Sequence, residues 1–300
     1  MLPEKDKKDG KTGNKISVRL ILHIVCIVGF VCCAGWLIWY FVSLSRSHSQ
    51  TEELQENYVA AVPVPETAAP TDAPQATPEP NLFGGREYPD LTGLDVPDLN
   101  PDFAGLQEIN PDVYAWLYIP DTVINYPVVQ REDDANYYLR RDINGNDSTA
   151  GTLFTQYYNH KDWTDNLTVI YGHNMHDGSM FAALHNFEDS VFFEEHPYIY
   201  LYTPEYTLVY QVFAAYSYPD VHLLLNYSMN DHDSFAAYLD QVMSQDGLNV
   251  NINRDLDISA DDRVLTLSTC VSRNMGEYRY LVQARLYAAG KTTQTTETVK

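Results

Sequence analysis

From Leu20 to Val42 the chain reads LILHIVCIVGFVCCAGWLIWYFV, apolar almost without interruption. A helix of roughly 20 such residues crosses the hydrocarbon layer of a bilayer. The 300 residues therefore cannot all belong to one water-soluble globule. Trp36, Trp39 and Tyr40 gather at the far end of the run, where aromatic rings favour the membrane interface. Lys5, Lys7, Lys8, Lys11, Lys15 and Arg19 precede it, and only Arg46 follows closely. The positive-inside rule then expects a cytoplasmic N-terminus and an exported remainder. A cleaved signal peptide is the alternative, but the run exceeds the usual h-region of about 7–15 residues and no clear A-x-A site follows it. His23 lies near the cytoplasmic end, where it can snorkel or stay neutral.

Beyond the run the composition shifts. Ser45 to Pro80 is rich in Pro, Ala, Thr and Glu, as in VPVPETAAPTDAPQATPEP. Such a segment buries too little apolar surface to offset its ordering entropy, and its prolines keep it extended, as in a semi-stiff stalk. The expected organisation is a basic cytoplasmic arm (1–19), a transmembrane signal anchor (20–42) and an extracellular linker (43–100). A compact domain (101–289) and an unstructured tail (290–300) complete it. The formal net charge is −22, and the exported part is more acidic still because the arm is basic. That balance argues against nucleic acid or anionic lipid as partners, which need a basic face.

Within the domain, runs rich in Val, Ile, Leu and Tyr predict strands at Ala115–Ile119, Val123–Gln130, Gly151–Thr155 and Leu167–Gly172. Further strands are expected at Tyr198–Tyr202, Thr207–Tyr216, Arg263–Thr269 and Arg279–Ala288. Helical patterns are few: Pro101–Ile109, Ser179–Phe187, and Asp233–Ser244 with Asp231 or Asp233 as N-cap. About eight strands with few helices predict a closed or nearly closed β-barrel.

Four cysteines are present, and Cys26, Cys32 and Cys33 lie in the apolar run. Cys270, ending the strand Val264-Leu-Thr-Leu-Ser-Thr-Cys270, is then the one exported thiol, either an idle core group or a reactive one. A reactive thiol needs a proton-transfer partner and a donor for the developing oxyanion. His173 follows the buried run LTVIYG and stands at a strand tip. The alternatives are His48, His160, His176, His185, His196, His222 and His232. A short loop joins the last two strands, so a hairpin sets Cys270 nearly opposite Arg279. A guanidinium there can hydrogen-bond an oxyanion and favour the thiolate. Arg273, inside the loop, is the rival. His173, His176 and Asp177 are close in sequence, but H-x-x-H matches no strong zinc signature and no second cysteine joins them. No metal or cofactor is expected. Sequons at Asn146, Asn166 and Asn226 are weak patterns.

TLSTC followed nine residues later by Arg279, with YGHNM and GSMF upstream, resembles a sortase. Tyr126-Pro-Val-Val-Gln130, Tyr138-Leu139, Gly151-Thr-Leu-Phe154 and the run from Asp165 to Met175 resemble class B sortases. So does the helix-bearing insertion from about Tyr218 to Asp262. The resemblance spans about Asn110 to Leu286. It implies a mostly β fold: an eight-stranded sortase-type barrel with a short N-terminal helical addition, an insertion before the cysteine strand and a separate membrane helix. It implies Cys270, His173 and Arg279 as the catalytic trio. Class B relatives often carry D-N-x-x-Y-L; here Ala135 follows Asp134, and Asn136 comes next.

The activity so implied is transpeptidation. Cys270 attacks a carbonyl in the C-terminal, NPxT-like sorting signal of a secreted protein. Arg279 stabilises the intermediate, and His173 protonates the leaving amine. An amine of a lipid-linked cell-wall precursor or of a pilin lysine then takes the acyl group. Ser268, on the same strand face as the thiol, and Tyr171 are candidates for substrate binding. A secreted cysteine endopeptidase, which would release a free acid, and a tethered binding module without chemistry remain as other readings.

Overall fold

The computed structural model describes residues 18–59, 88–272 and 275–292. The chain divides into two units, at Ser45 and Arg46. Helix α1 spans Val18–Tyr58. Its first part carries the apolar run, and side chains such as Phe30 and Trp36 are exposed. Among the described residues it is the one helix long and apolar enough to cross a membrane.

The helix continues beyond Val42 into the segment expected to be a stalk. SLSRSHSQTEELQENY contains no Gly or Pro and many good helix formers, so nothing ends the helix before Tyr58. Leu54 and Val59 are buried with Phe103, Leu106 and Trp116. Leu91, Leu94, Val96 and Leu99 pack on the same cluster, so this part of the expected linker lies against the domain. The Pro-rich residues 60–87 and the tail 293–300 lie outside the described residues.

Helix α2 (Phe103–Ile109) is capped by Asp102, whose carboxylate accepts from Gly105 N–H. The strands are β1 (Val113–Tyr118), β2 (Asn125–Val129), β3 (Leu153–Thr155), β4 (Leu167–Tyr171), β5 (Tyr198–Tyr202), β6 (Tyr206–Pro219), β7 (Asn251–Ile252), β8 (Val264–Ser272) and β9 (Met275–Lys291). Their order is β5-β1-β2-β3-β4-β8-β9-β6, and β5 pairs with β6 to close the ring. The two-residue β7 adds to β6 outside that ring. The barrel is therefore eight-stranded, as expected. Closure leaves no free edge among those eight strands, which removes the hazard of edge-to-edge association. The pairs β2–β3 and β4–β8 are parallel, the rest antiparallel.

Short helices α3 (Ser190–Glu195) and α4 (Leu223–Asn226) flank β5 and β6. Helix α5 (His232–Met243) starts at Asp231, whose carboxylate accepts from Ser234 N–H. Its Phe235, Tyr238, Leu239 and Val242 bury against Leu167, Val169, Phe213, Val264 and Leu281. A polar knot fixes this layer: Gln283 Nε2 donates to Tyr238 Oη and Thr266 Oγ1 at 2.7 and 2.8 Å, and Tyr216 Oη donates to Gln283 Oε1 at 3.2 Å. Each buried polar group here has a partner, so burying it costs little and specifies register.

The helix expected over Ser179–Phe187 is instead a 3-10 helix over Phe181–Glu188, entered through Met180 at φ 55°. Phe181 N–H donates to the His173 carbonyl, and Asn174 bridges to Met180. Those contacts fix the entry before a regular α-turn can form.

Gly151 has φ +63°, and a Cβ there would lie 2.6 and 2.7 Å from the carbonyl oxygens of Tyr138 and Leu139. Gly151→Ala is expected to lower the unfolding free energy by about 2 kcal/mol, from strain in the left-handed region plus the clash. Urea unfolding of both proteins measures this, and an unchanged midpoint would refute it.

Candidate active site

The thiol and the guanidinium meet because β8 and β9 form an antiparallel ladder in which Cys270 is the partner of Arg279. Directly opposed residues on one face sit close enough for their side chains to touch. Arg279 Nη1 donates to Cys270 Sγ at 2.9 Å. On its other side β9 pairs with β6, with Arg279 opposite Tyr218. Two residues beyond Tyr218 is Asp220, whose N–H donates to the Glu277 carbonyl at 2.9 Å. The Asp220 carboxylate accepts from Arg279 Nε at 2.8 Å and from Nη2 at 3.0 Å. This bidentate grip locks the guanidinium plane and leaves Nη1 aimed at sulfur. The Asp220 bond also holds the arginine proton more firmly than usual; burial opposes this and the neighbouring Cys270 adds to it. Arg273 lies outside the described residues.

His173 arrives from the other neighbour of β8. β4 runs parallel to it with Tyr171 level with Ser268, and Gly172 N–H donates to the Ser268 carbonyl. Two residues past that pair on each strand stand His173 and Cys270. The ring Nε2 lies 2.6 Å from the Leu139 carbonyl. A carbonyl only accepts, so Nε2 carries the proton and the neutral ring keeps its lone pair on Nδ1. Leu139 belongs to a 3-10 turn over Tyr137–Arg140, where Leu139 N–H donates to the Asn136 carbonyl. Burial lowers the His173 pKa below its ordinary value; the Leu139 carbonyl opposes this, while the charges of Arg140 and Arg279 reinforce it. The imidazole is therefore mostly neutral at neutral pH, a form able to accept a proton.

Tyr171 stacks on Phe154 with ring centroids 5.5 Å apart. Burial keeps its phenol neutral well into the alkaline range, opposed by the Arg279 charge. Ser268 is only 5% exposed, which leaves a bound peptide little of its surface to touch. Asn136 Oδ1 accepts from Gln156 Nε2 at 3.1 Å, and His222 Nε2 donates to Gln156 Oε1 at 2.7 Å. Asp220 and the Leu139 carbonyl were not anticipated from sequence. The one signal for Asp220 was its place at the end of the strand beside β9.

A thiol touching a fixed cation, on a strand whose parallel neighbour leads into a neutral imidazole, is equipped for nucleophilic attack on a carbonyl. The sortase domain family matches residues 117–287, more than half of the chain, so the chain belongs to the sortase family. Sortase B of Listeria monocytogenes is 32% identical over 190 residues, covering 63% of this chain and 75% of that protein. Sortase B of Staphylococcus aureus is 28% identical over 172 residues, covering 57% and 68%. Among solved structures, sortase B from B. anthracis in complex with AAEK1 superposes with a TM-score of 0.61 at 26% identity. That match covers 83% of this chain and 99% of the other. A Staphylococcus aureus sortase B-substrate complex gives 0.54 at 27% identity, covering 64% and 85%. These relatives place the chain in class B, and its activity is that of a cysteine transpeptidase acting on sorting-signal-bearing proteins and amine acceptors.

Asp220→Asn removes the charge that grips Arg279. It is expected to lower kcat/KM about tenfold, the worth of one charge-assisted hydrogen bond. Steady-state kinetics checks this, and wild-type values would mean the guanidinium is aimed by other contacts. The lowered His173 pKa fixes the sign of a pH effect. A protonated ring can no longer take a proton, so with His173 as the proton acceptor proposed below, activity falls as pH drops through that pKa. The acid limb of kcat/KM is expected below the ordinary histidine value of about 6.5. A limb at or above that value in the pH–rate profile would contradict it.

Proposed function

We propose that Cys270 is the nucleophile, His173 the proton carrier and Arg279 the oxyanion donor of a membrane-anchored class B sortase. The observation that carries this is the 2.9 Å contact between Arg279 Nη1 and Cys270 Sγ, built by ladder register. In the reaction, the Cys270 proton passes to His173 as the sulfur adds to the carbonyl carbon of a sorting signal. The carbonyl oxygen becomes an oxyanion and takes the Nη1 hydrogen bond. The intermediate collapses, the peptide C–N bond breaks, and His173 gives its proton to the departing amine. A thioester remains on Cys270. An incoming primary amine attacks it, His173 takes the excess proton, and a new amide forms as the thiolate leaves.

The signal is of the NPxT type, cleaved after Thr, and the acceptor is an amine of a cell-wall precursor or a pilin lysine. Tyr171 flanks the bound signal, while the buried Ser268 supports the strand beneath it. Residues 1–19 lie in the cytoplasm, 20–42 anchor the enzyme, and the barrel faces outward. The basic residues before the apolar helix support that orientation.

A fluorogenic peptide bearing an NPxT signal, offered with a primary amine, tests the reading. Wild type is expected to yield ligated product and a thioester adduct mapped to Cys270 by mass spectrometry. Cys270→Ala is expected to give neither and to keep the circular-dichroism spectrum. Arg279→Lys is expected to lose about 100-fold or more in kcat, the cost of removing an oxyanion donor. Activity in Cys270→Ala, or free acid as the sole product in the presence of amine, would overturn it.

A further inference from the structure

Strand β4 ends at Tyr171, while its parallel neighbour β8 runs on to Ser272. The ladder between them therefore stops one step short of the thiol. Gly172 N–H serves the Ser268 carbonyl, and the next carbonyl on that edge, that of Cys270, has no strand to meet. The chain has turned away there, since Asn174 bridges to Met180 instead. A main-chain carbonyl this deep needs a replacement partner.

Side chains supply it. Asn174 Nδ2 donates to the Cys270 carbonyl at 2.9 Å. His185 Nε2 lies 3.1 Å from the same oxygen and 2.9 Å from Asn174 Nδ2. The other ring nitrogen of His185, Nδ1, lies 2.6 Å from Glu188 Oε1. A carboxylate accepts only, so Nδ1 carries a proton. Glu188 is itself held, with Oε2 accepting from Asn249 Nδ2 at 2.8 Å. The ring of His185 stacks on Tyr280 at 4.8 Å between centroids. Tyr280 is the ladder partner of Thr269, so it lies on the sheet face opposite Cys270 and Arg279. Both ends and one face of the imidazole are therefore fixed. The 3-10 helix that carries His185 and Glu188 presses on the β8–β9 hairpin from behind the thiol.

We propose that His185, braced by Glu188, is a positioning residue that with Asn174 replaces the missing strand and holds the Cys270 peptide in the orientation that aims Sγ at Arg279. The register of β8 on β9 shifts just past Cys270, between the pairs Cys270–Arg279 and Ser272–Met275, so the ladder is irregular where the Cys270 carbonyl leaves it. In the neutral ring, one Asn174 hydrogen serves the carbonyl and the other serves the Nε2 lone pair. In the charged ring, Nε2–H joins Asn174 on the carbonyl. Either way the oxygen is held through the His185–Asn174 unit. The role in catalysis rests on the assignment of Cys270 as nucleophile; the geometric role does not.

The full-length enzyme in detergent is tested with His185→Ala, His185→Asn and His185→Gln. A glutamine amide nitrogen reaches about where Nε2 sits, whereas an asparagine amide stops near Nδ1. His185→Gln is expected to stay within about threefold of wild type. His185→Ala and His185→Asn should lose about tenfold in kcat with KM within about twofold, as for one lost hydrogen bond to the reacting group's own peptide. Site-resolved iodoacetamide labelling, read by peptide mass spectrometry at Cys270, should slow in the same order. That second readout needs no substrate, so it separates failure of this idea from failure of the sorting-signal assignment. Glu188→Gln acts through the ring, so the double variant with His185→Ala should be no worse than His185→Ala alone. Equal loss in all three His185 variants would mean the ring merely packs on Tyr280. Wild-type labelling and kcat in all three, or additive losses in the double variant, would equally overturn the proposal.

Discussion

The antiparallel register of β8 on β9 is the constraint from which the site follows. A slip of one residue would turn Arg279 to the opposite face of the sheet and leave Cys270 facing a different side chain. That register is defended far from the thiol. Gln283, Thr266, Tyr238 and Tyr216 form a buried polar knot whose hydrogen bonds a slip of register would break. Closure of the barrel through β5 and β6 then holds β9 between two neighbours from Arg279 to Arg285.

Charge in the site is arranged by competition. Asp220 takes two nitrogens of Arg279 and compensates part of its charge, at the same time fixing its direction. Burial discourages protonation of His173, the Leu139 carbonyl pulls the other way, and the charges of Arg140 and Arg279 add to the effect of burial. In water such opposing influences would be weak; in a half-buried cleft each is felt more strongly. The result is an imidazole kept neutral while the cation touching the thiol stays in place.

The hairpin, and with it the pairing of Cys270 and Arg279, was legible because strand residues alternate faces with a period of two and the loop was short. The parallel neighbour bringing His173 was marked by the apolar run LTVIYG, though its pairing with β8 was not. Asp220 was hidden because it sits 59 residues from Arg279 in sequence, and no local pattern reports a contact of that span. The Leu139 carbonyl was invisible in principle, since every residue has one. The stalk reading after Val42 gave the later prolines too much weight over the Glu- and Gln-rich stretch before them. The 3-10 form of Phe181–Glu188 was set by tertiary contacts at His173 and Asn174, which periodicity does not see.

Because Asp220 occupies two nitrogens of Arg279, only the third, Nη1, is left to face the sulfur. In the proposed reaction that gives the site a direction. A carbonyl that adds to the sulfur must bring its oxygen to that one nitrogen, so the approach of the peptide to the hairpin is set before the new bond forms.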